Sequence, residues 1–393
     1  MRRFILFDDQ KIKEALLPLT FIRPVCDVRI GIFTIREKWV RHLNQQVTNY
    51  TEAYLAQKFP FEKGEDNVFI NGALCPSEDV VKAILELGPN EGLRNDQGLL
   101  AFRSQNILPD QLDQLSLMAY SGETTLITKP WFIFQHNALQ IQEDFKLLQN
   151  KSEKLKDKHT IVYGEDNLYV EPGVVTRAAV INAEKGPVYL GKDVLVQEGA
   201  VIAGSSAVLQ ATSISMGAKI RGDSTFGPYC KIGGEIGNSV VFGYTNKAHE
   251  GYLGNSVIGE WCNLGADTNT SNLKNNYANV KVWNYEANGI VDSGLTFFGL
   301  IMGDHSKCGI NTMFNTGTVV GVSANVFGGG YPNMFIPSFS WGGEKGFSTY
   351  RIEKAFEVAA LVMGRRNILF DGVEKAILSH IFETSSEYRI WDN

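Results

Sequence analysis

LGKDVLVQEGAVIAGSSAVLQATSISMGAKIRGDSTFGPYCKIGGEI, residues 190–236, repeats every six residues. Leu190, Val196, Ile202, Val208, Ile214, Ile220, Phe226 and Ile232 are eight consecutive large apolar residues at that spacing. Four places after each stand Val194, Ala200, Ser206, Thr212, Ala218, Ser224, Cys230 and Ile236, six of them small. An amphipathic helix repeats at three and four, and a half-buried strand at two. A period of six fits a hexapeptide-repeat β-helix, in which each short strand turns one bulky residue inward and a small residue sits near the corner. The phase returns as Met302, Cys308, Phe314, Val320 and Val326, with Ser306, Thr312, Thr318 and Ala324 four places on. Three hexads, about 18 residues, make one triangular coil.

The chain around this repeat has 393 residues, too many for one ordinary core, so two domains are expected. Its composition is that of a soluble globular protein, 44% hydrophobic and 20% charged. A net charge of -6 and the lack of a basic run argue against nucleic acid as the main partner, while a locally positive pocket for a nucleotide or CoA remains compatible with it. Cys26, Cys75, Cys230, Cys262 and Cys308 form no CxxC pair and read as reduced, mostly buried thiols. The start MRRFILFDDQ loses its apolar run at Asp8, and no apolar run reaches membrane-spanning length. No membrane partner is expected, and the expected address is cytoplasmic.

Along the chain, Phe4 to Phe7 reads as a strand, Ile32 to Leu43 as a helix, Val68 to Ile70 as a strand before the turn Asn71-Gly72, and Val80 to Leu87 as a helix. Strands interleaved with helices suggest an α/β domain over 1–155. Glu143 to Lys156 reads as a charged helix leading to the repeats. Val170 to Val174 resembles a first, imperfect coil, and Glu184 to Pro187 a loop that resets the phase. The β-helix is expected over 160–330. Its pattern blurs over Gly237 to Gly251 and breaks over Ser271 to Leu295. Long breaks in a solenoid map to loops on one face, often the binding face, so chemistry is sought at these two places. Ile352, Ala355, Phe356, Ala359, Ala360 and Met363 follow helical spacing, and Asp371 to His380 reads as a second helix. A helical cap over 331–393 would cover the open β-helix end.

In Asn246-Lys247-Ala248-His249-Glu250-Gly251-Tyr252-Leu253-Gly254, followed by Asn263-Leu264-Gly265-Ala266-Asp267-Thr268 and Asn272, the chain resembles the acetyltransferase half of GlmU. GlmU is the bifunctional glucosamine-1-phosphate acetyltransferase and N-acetylglucosamine-1-phosphate uridyltransferase. The spacing from His249 through Tyr252 and Asn263 to Asn272 agrees with that family's motif without a gap. Acetyl transfer needs an amine freed of its proton as it attacks a thioester, and histidine suits that task at neutral pH. The resemblance implies His249 as the general base and Tyr252, Asn263 and Asn272 as sugar-phosphate ligands. It places the backbone N–H near Ala266 against the thioester and gives Ala266 and Gly328 to acetyl-CoA. Arg221 lies two residues from the family's phosphate-binding arginine. The family's substrate lysine falls near Gly237, so Lys247, Lys274 or Lys281 is expected to replace its charge, with Lys281 taken as substrate-binding. Leu273 and Ile310 stand where the family has an aromatic residue and a CoA-contacting serine.

The N-terminal half is similar to sugar-phosphate nucleotidyltransferases at Leu17-Pro18-Leu19-Thr20-Phe21-Ile22-Arg23-Pro24 and at Asn137-Ala138-Leu139-Gln140. Phe7-Asp8-Asp9-Gln10 stands in place of the family's glycine-rich triphosphate loop, and Val25 in place of a lysine. This resemblance implies Arg23 and Asn71 as nucleotide-binding and Asn137 as an Mg2+ ligand; a structural ion pair is an equal reading of Arg23. The chain is therefore identified with a divergent GlmU-related group. The resemblance implies an α/β nucleotidyltransferase-like domain, a left-handed parallel β-helix, a C-terminal helical cap and a homotrimer. It also implies acetylation of an amino-sugar-1-phosphate such as glucosamine-1-phosphate from acetyl-CoA, then transfer of a nucleotidyl group such as UMP from a nucleoside triphosphate with Mg2+, in UDP-N-acetylglucosamine synthesis for the cell envelope. Two alternatives stay open: nucleotidyl transfer alone on a β-helical oligomerisation scaffold, and a non-catalytic sugar-nucleotide sensor.

Overall fold

The computed structural model describes residues 2–148 and 152–392. The chain divides into two compact units. One comprises residues 1–16, 22–29 and 33–129; the other comprises 17–21, 30–32 and 130–393. The helix Pro130–Lys146 and the C-terminal helices belong to the same compact unit as the β-helix.

The first unit is α/β, as its interleaved pattern predicts. Its six-stranded sheet runs in the order Thr48–Tyr50, Arg2–Phe7, Asp66–Asn71, Gly98–Ser104, Glu91–Asn95, Ser116–Ala119. The first three strands are parallel, and Gly98–Ser104 is antiparallel to Asp66–Asn71. Phe7, Phe69 and Phe102 pack together on one face, with Phe69 and Phe102 stacked at 4.7 Å. The helix Ile35–Leu43 opens with a capping box in which Thr34 and Glu37 satisfy each other's backbone N–H groups. Glu78–Leu85 opens on Ser77, whose side chain accepts from Val80 N–H.

In the second unit the hexad becomes a three-sided parallel β-helix with nine strands on the first face and ten on the second, the tenth an antiparallel end strand. Six strands make the third face, which the pair Asn269–Thr270 and Met313–Phe314 follows. The inward residues stack coil on coil: Leu190 on Val208, Val196 on Ile214, Ile202 on Ile220. Together with their equivalents they form one continuous apolar core. This parallel three-sheet geometry is consistent with the left hand that the resemblance implies. It extends from Ile161–Tyr163 to Ser340–Gly343, beyond the expected 160–330.

The first face is buried on its outer side too, because Pro130–Lys146 lies across its middle strands. Ala207, Thr225, Val240 and Val257 are covered there, whereas Val201, Lys219 and Lys231 on the other faces point into solvent. That helix ends at Lys146, and residues 152–156 are not helical, so the expected helix over 143–156 is shorter; 149–151 lie outside the described residues.

Two features depart from the strict hexad. The stretch 237–251 is not a break: the strands Val240–Val241, Asn246–Lys247 and Tyr252–Gly254 continue all three faces. Shortened corners produced the blur. Ile236 pairs with Ile220, and Lys247 with Ile232, each short of a full 18-residue coil. Ile236 is therefore an inward residue of a strand, not the small corner residue its spacing suggested. The break at 271–295 is a real excursion, in which Lys281–Asn284 and Gly289–Asp292 form an antiparallel hairpin. It folds onto its own chain: Trp283 stacks on Phe335 at 4.2 Å, and Tyr285 is buried among Phe21, Phe335 and Tyr388.

One corner column carries non-glycine residues in the left-handed region at Asp193, Ala211, Tyr229, Tyr244, Trp261, His305 and Ser323. Parallel strands lie about 4.8 Å apart, so equivalent rings meet face to face. Tyr229 and Tyr244 stack at 5.2 Å, and Tyr244 and Trp261 at 4.1 Å.

Ile220 is 1% exposed, stacked between Ile202 and Ile236. Ile220→Ala should cost about 2–5 kcal/mol in urea unfolding. The neighbouring outward change Val201→Ala should stay within about 0.5 kcal/mol.

Candidate functional site

The strand Asn246–Lys247 belongs to the second face and Tyr252–Gly254 to the third. The corner between them, residues 248–251, carries His249, which is exposed. The corner is tight. Ser215 Oγ donates to Ala248 O at 3.0 Å, and Asp267 N–H donates to Glu250 O at 3.0 Å. Gly251 has φ +114°, and a Cβ there would sit 2.1 Å from Thr268 O, so no other residue fits.

On the third-face side, Tyr252 and Asn272 meet directly: Asn272 Nδ2 donates to the Tyr252 hydroxyl at 3.0 Å and to Asn255 Oδ1 at 2.8 Å. Asn269 Oδ1 fixes the same strand by accepting from Tyr252 N–H at 2.9 Å. Gly254 makes room for the ring, since a Cβ there would lie 2.3 Å from the Tyr252 hydroxyl. Burial pushes that hydroxyl's pKa up against the opposing pull of Arg221 and of the Asn272 hydrogen bond, so it remains protonated near neutral pH. Arg221 itself pairs with Glu235 at 2.9 Å on the surface.

Asn263 lies on the other side of the corner. It is exposed on the outer side of the second face, where Asn246 Nδ2 donates to its Oδ1 at 3.5 Å. Lys307 is next in that ladder; burial lowers its pKa, and its Nζ donates to His305 O at 2.8 Å. Ala266 occupies the corner one coil beyond His249, and its carbonyl accepts from Asn311 N–H at 2.8 Å. Gly328 lies at an exposed corner of the same column, two coils beyond Ala266. Thus Tyr252 and Asn272 come together, His249 stands at the edge between their face and that of Asn263, and Ala266 is adjacent in the column. Lys281 is exposed on the hairpin rather than on this column. Lys247 is interior and offers no charge to a surface ligand, and Lys274 donates to Asn279 O at 2.9 Å. Asn255, Asn269 and Glu235 belong to the polar cluster but escaped sequence reading, because their partners are set by coil stacking. The outward position of Glu235, beside Lys219 and Tyr252, was the signal a corrected phase would have given.

Asn137 does not fit a metal role. It is fully buried, and its Oδ1 accepts from Gly31 N–H at 2.8 Å and from the Thr225 hydroxyl at 3.1 Å. Its Nδ2 donates to Asp223 O at 3.1 Å. The side chain pins residues 30–32 and the helix Pro130–Lys146 to the β-helix. Gly31 is required there: its φ is +76°, and a Cβ would meet Gln140 backbone at 2.8 Å.

In the first unit, Asn71 is likewise buried and committed, donating to Leu99 O at 2.9 Å and accepting from Ala73 N–H at 3.0 Å. Asp8, at the end of the strand Arg2–Phe7, accepts from Val25 N–H at 2.8 Å, from Lys13 at 3.0 Å and from the Thr51 hydroxyl. Lys13 also pairs with Glu52 at 2.8 Å. Asp9 caps the following helical turn through Ile12 N–H. Arg23 is buried; burial raises the pKa of the Asp27 carboxyl, while Arg36 and then Arg23 pull it down. Among the described residues, no group of three or more His, Cys, Asp or Glu could hold a metal ion. The residues expected to bind Mg2+ and nucleotide therefore do not form an open Mg2+ ligand set.

Residues 4–154 match the family described as sugar nucleotidyl transferase. The bifunctional protein GlmU of Synechococcus elongatus is 25% identical over 224 residues, covering 51% of this chain and 45% of that protein. A bifunctional sugar-1-phosphate nucleotidylyltransferase/acetyltransferase of Sulfurisphaera tokodaii is 27% identical, covering 56% of this chain and 49% of that protein. GlmU of Methanocaldococcus jannaschii reaches 38% over 87 residues, 22% of this chain and 21% of that protein. The chain spans about half the length, or less, of these relatives. Among solved structures, an Arabidopsis UDP-N-acetylglucosamine acyltransferase aligns with 55% of this chain and 80% of its own, at 15% identity and a TM-score of 0.24. No helix among the described residues is long and apolar enough to cross a membrane.

Asn137→Ala would strand the buried Gly31 N–H and remove the donor to Asp223 O, while the Thr225 hydroxyl keeps Gly31 O, and should cost about 1–3 kcal/mol in urea unfolding. Added Mg2+ should shift the midpoint of neither the parent nor the variant. A Mg2+-dependent shift confined to the parent would instead restore the metal role.

Proposed function

We propose that the chain is a bifunctional transferase of nucleotide-sugar synthesis, with acetyl transfer at the His249 corner and nucleotidyl transfer in the N-terminal unit. The single observation that carries the first half is the Tyr252–Asn272 hydrogen bond of 3.0 Å beside the corner that presents His249. Under this reading Tyr252 and Asn272 hold the sugar, and Arg221, already at the surface there, takes the phosphate in exchange for Glu235. His249 removes the proton as the sugar amine attacks the thioester carbonyl. The C–N bond forms, the C–S bond breaks, and the thiolate leaves as CoA after taking up a proton. The backbone at Ala266 steadies the oxyanion. The resemblance of the motif from His249 to Asn272 to that of GlmU supports glucosamine-1-phosphate as the sugar and acetyl-CoA as the donor.

For the N-terminal unit, the match of residues 4–154 supports nucleotidyl transfer from a nucleoside triphosphate, with UMP the group suggested by the GlmU relatives. Arg23 is its candidate for the triphosphate. No step is assigned to Mg2+, because Asn137, Asn71 and Asp8 are committed elsewhere. The reading implies a cytoplasmic enzyme, where both activated substrates are made. It also implies a homotrimer in which a neighbouring β-helix closes the site on the side of Asn263. Light scattering at working concentration checks the assembly, and a monomer there would refute it.

The function is tested by following thiol and pyrophosphate release over a panel of sugar-1-phosphates and nucleoside triphosphates. His249→Ala should lower kcat for CoA release by about 10²–10⁴-fold with a smaller change in KM. Asn272→Ala should act mainly on KM. Arg23→Ala should reduce pyrophosphate release alone. Absence of CoA release with every sugar phosphate sinks the acetyl-transfer half, and absence of pyrophosphate release with every triphosphate sinks the other.

A further inference from the structure

The inward column of the second face reads Val196, Ile214, Ile232, Lys247, Leu264, Cys308 and Val326. Lys247 is its only charged member and is 2% exposed. A lysine in an apolar interior is costly unless its ammonium is hydrogen-bonded. Its Nζ donates to His249 O at 2.6 Å and to Glu250 O at 3.1 Å. Burial lowers its pKa to about 8, against the opposing pull of Glu250 and weaker effects of Cys308 and Asp267.

The next two corners of the same column are closed differently. Thr268 Oγ1 donates to Gly265 O at 2.7 Å, and Thr312 Oγ1 donates to Gly309 O at 2.9 Å. In each, the residue closing the corner bonds the carbonyl at its start. In the His249 corner the equivalent closing position is Gly251, which has no hydroxyl. The ammonium of Lys247 closes it instead, from inside the coil, by holding the second and third carbonyls. Room for it comes from Gly234 in the shortened corner below, where a Cβ would lie 2.9 Å from Nζ. Holding the His249 carbonyl inward fixes the backbone from which the imidazole projects outward.

We propose that Lys247 is a positioning residue for His249, its interior ammonium setting the backbone of the corner that presents the imidazole. The inference rests on the acetyl-transfer reading for its kinetic consequence but not for its structural one. The test uses the full chain with Lys247→Met, Lys247→Gln and Lys247→Arg. Met keeps length and apolarity without a donor, Gln keeps one short donor group, and Arg keeps charge and donors. Misplacing a catalytic group by about 1 Å is worth up to about 10²-fold. Folded Lys247→Met should therefore lose about tenfold to a hundredfold in kcat for CoA release, with KM for the sugar phosphate within about twofold, and Arg should recover more than Gln. Hydrogen exchange needs no activity: in Lys247→Met the amides of 248–251 should exchange faster, while those of 190–220 keep the parent's protection. If the parent releases no CoA, the acetyl-transfer reading fails and hydrogen exchange alone decides the positioning role. Unchanged kcat, or unchanged exchange at 248–251, in folded variants overturns the proposal. So does failure of all three variants to fold, which would make Lys247 a stability residue only.

Discussion

Every part of the β-helical unit depends on the stacking of one inward residue per strand on the equivalent residue of the next coil. A single coil cannot bury its bulky residues; it buries them only against the coils above and below. The register therefore carries Leu190 over Val208 and Ile202 over Ile220 without slippage. Residues at the corners inherit the same spacing, which brings Tyr229, Tyr244 and Trp261 into a face-to-face stack. Each occupies the left-handed region, which costs a non-glycine residue about 1–2 kcal/mol, and ring stacking of about 0.5–1.5 kcal/mol per pair offsets part of it.

The same constraint places the candidate chemistry. Shortening a corner by a residue or two moves a strand along its face without breaking the stack, so the coils around 237–251 stay in the helix while their spacing loses the hexad. The displaced register puts a lysine into an apolar column and a glycine into the slot that closes the next two corners with threonine. The polar cluster of Tyr252, Asn255, Asn269 and Asn272 arises in the same way, from two successive coils.

Buried polar side chains elsewhere are joints rather than ligands. Asn137 spends its amide on two backbone groups and a hydroxyl, tying a covering helix and the short segment at residues 30–32 to the β-helix. In the other unit, Asp8 and Lys13 neutralise each other at the carboxyl end of a strand and are bonded to Thr51 and Glu52. A carboxylate already accepting three donors has little capacity left for a metal. This is the physical content of having Asp8-Asp9 where a glycine-rich loop would leave backbone N–H groups pointing at phosphate.

The sequence by itself determined the β-helix, because a strict period of six over eight positions admits no helix and no simple strand. It determined the α/β character of the first half, the existence of the C-terminal helices and the linear motif around His249, all of which rest on local spacing. Its reading stopped where the period did. Ile236 looked like a corner residue and Lys247 like a surface cation, since a shortened corner changes the count without changing the residue types. Asn137 looked like a ligand because a buried amide's partners, Gly31, Asp223 and Thr225, are remote in sequence. Only the tertiary structure decided which coils lie against which. That choice separates Asn263 from Tyr252 onto different faces, joins Tyr252 to Asn272, and turns Lys247 inward under His249.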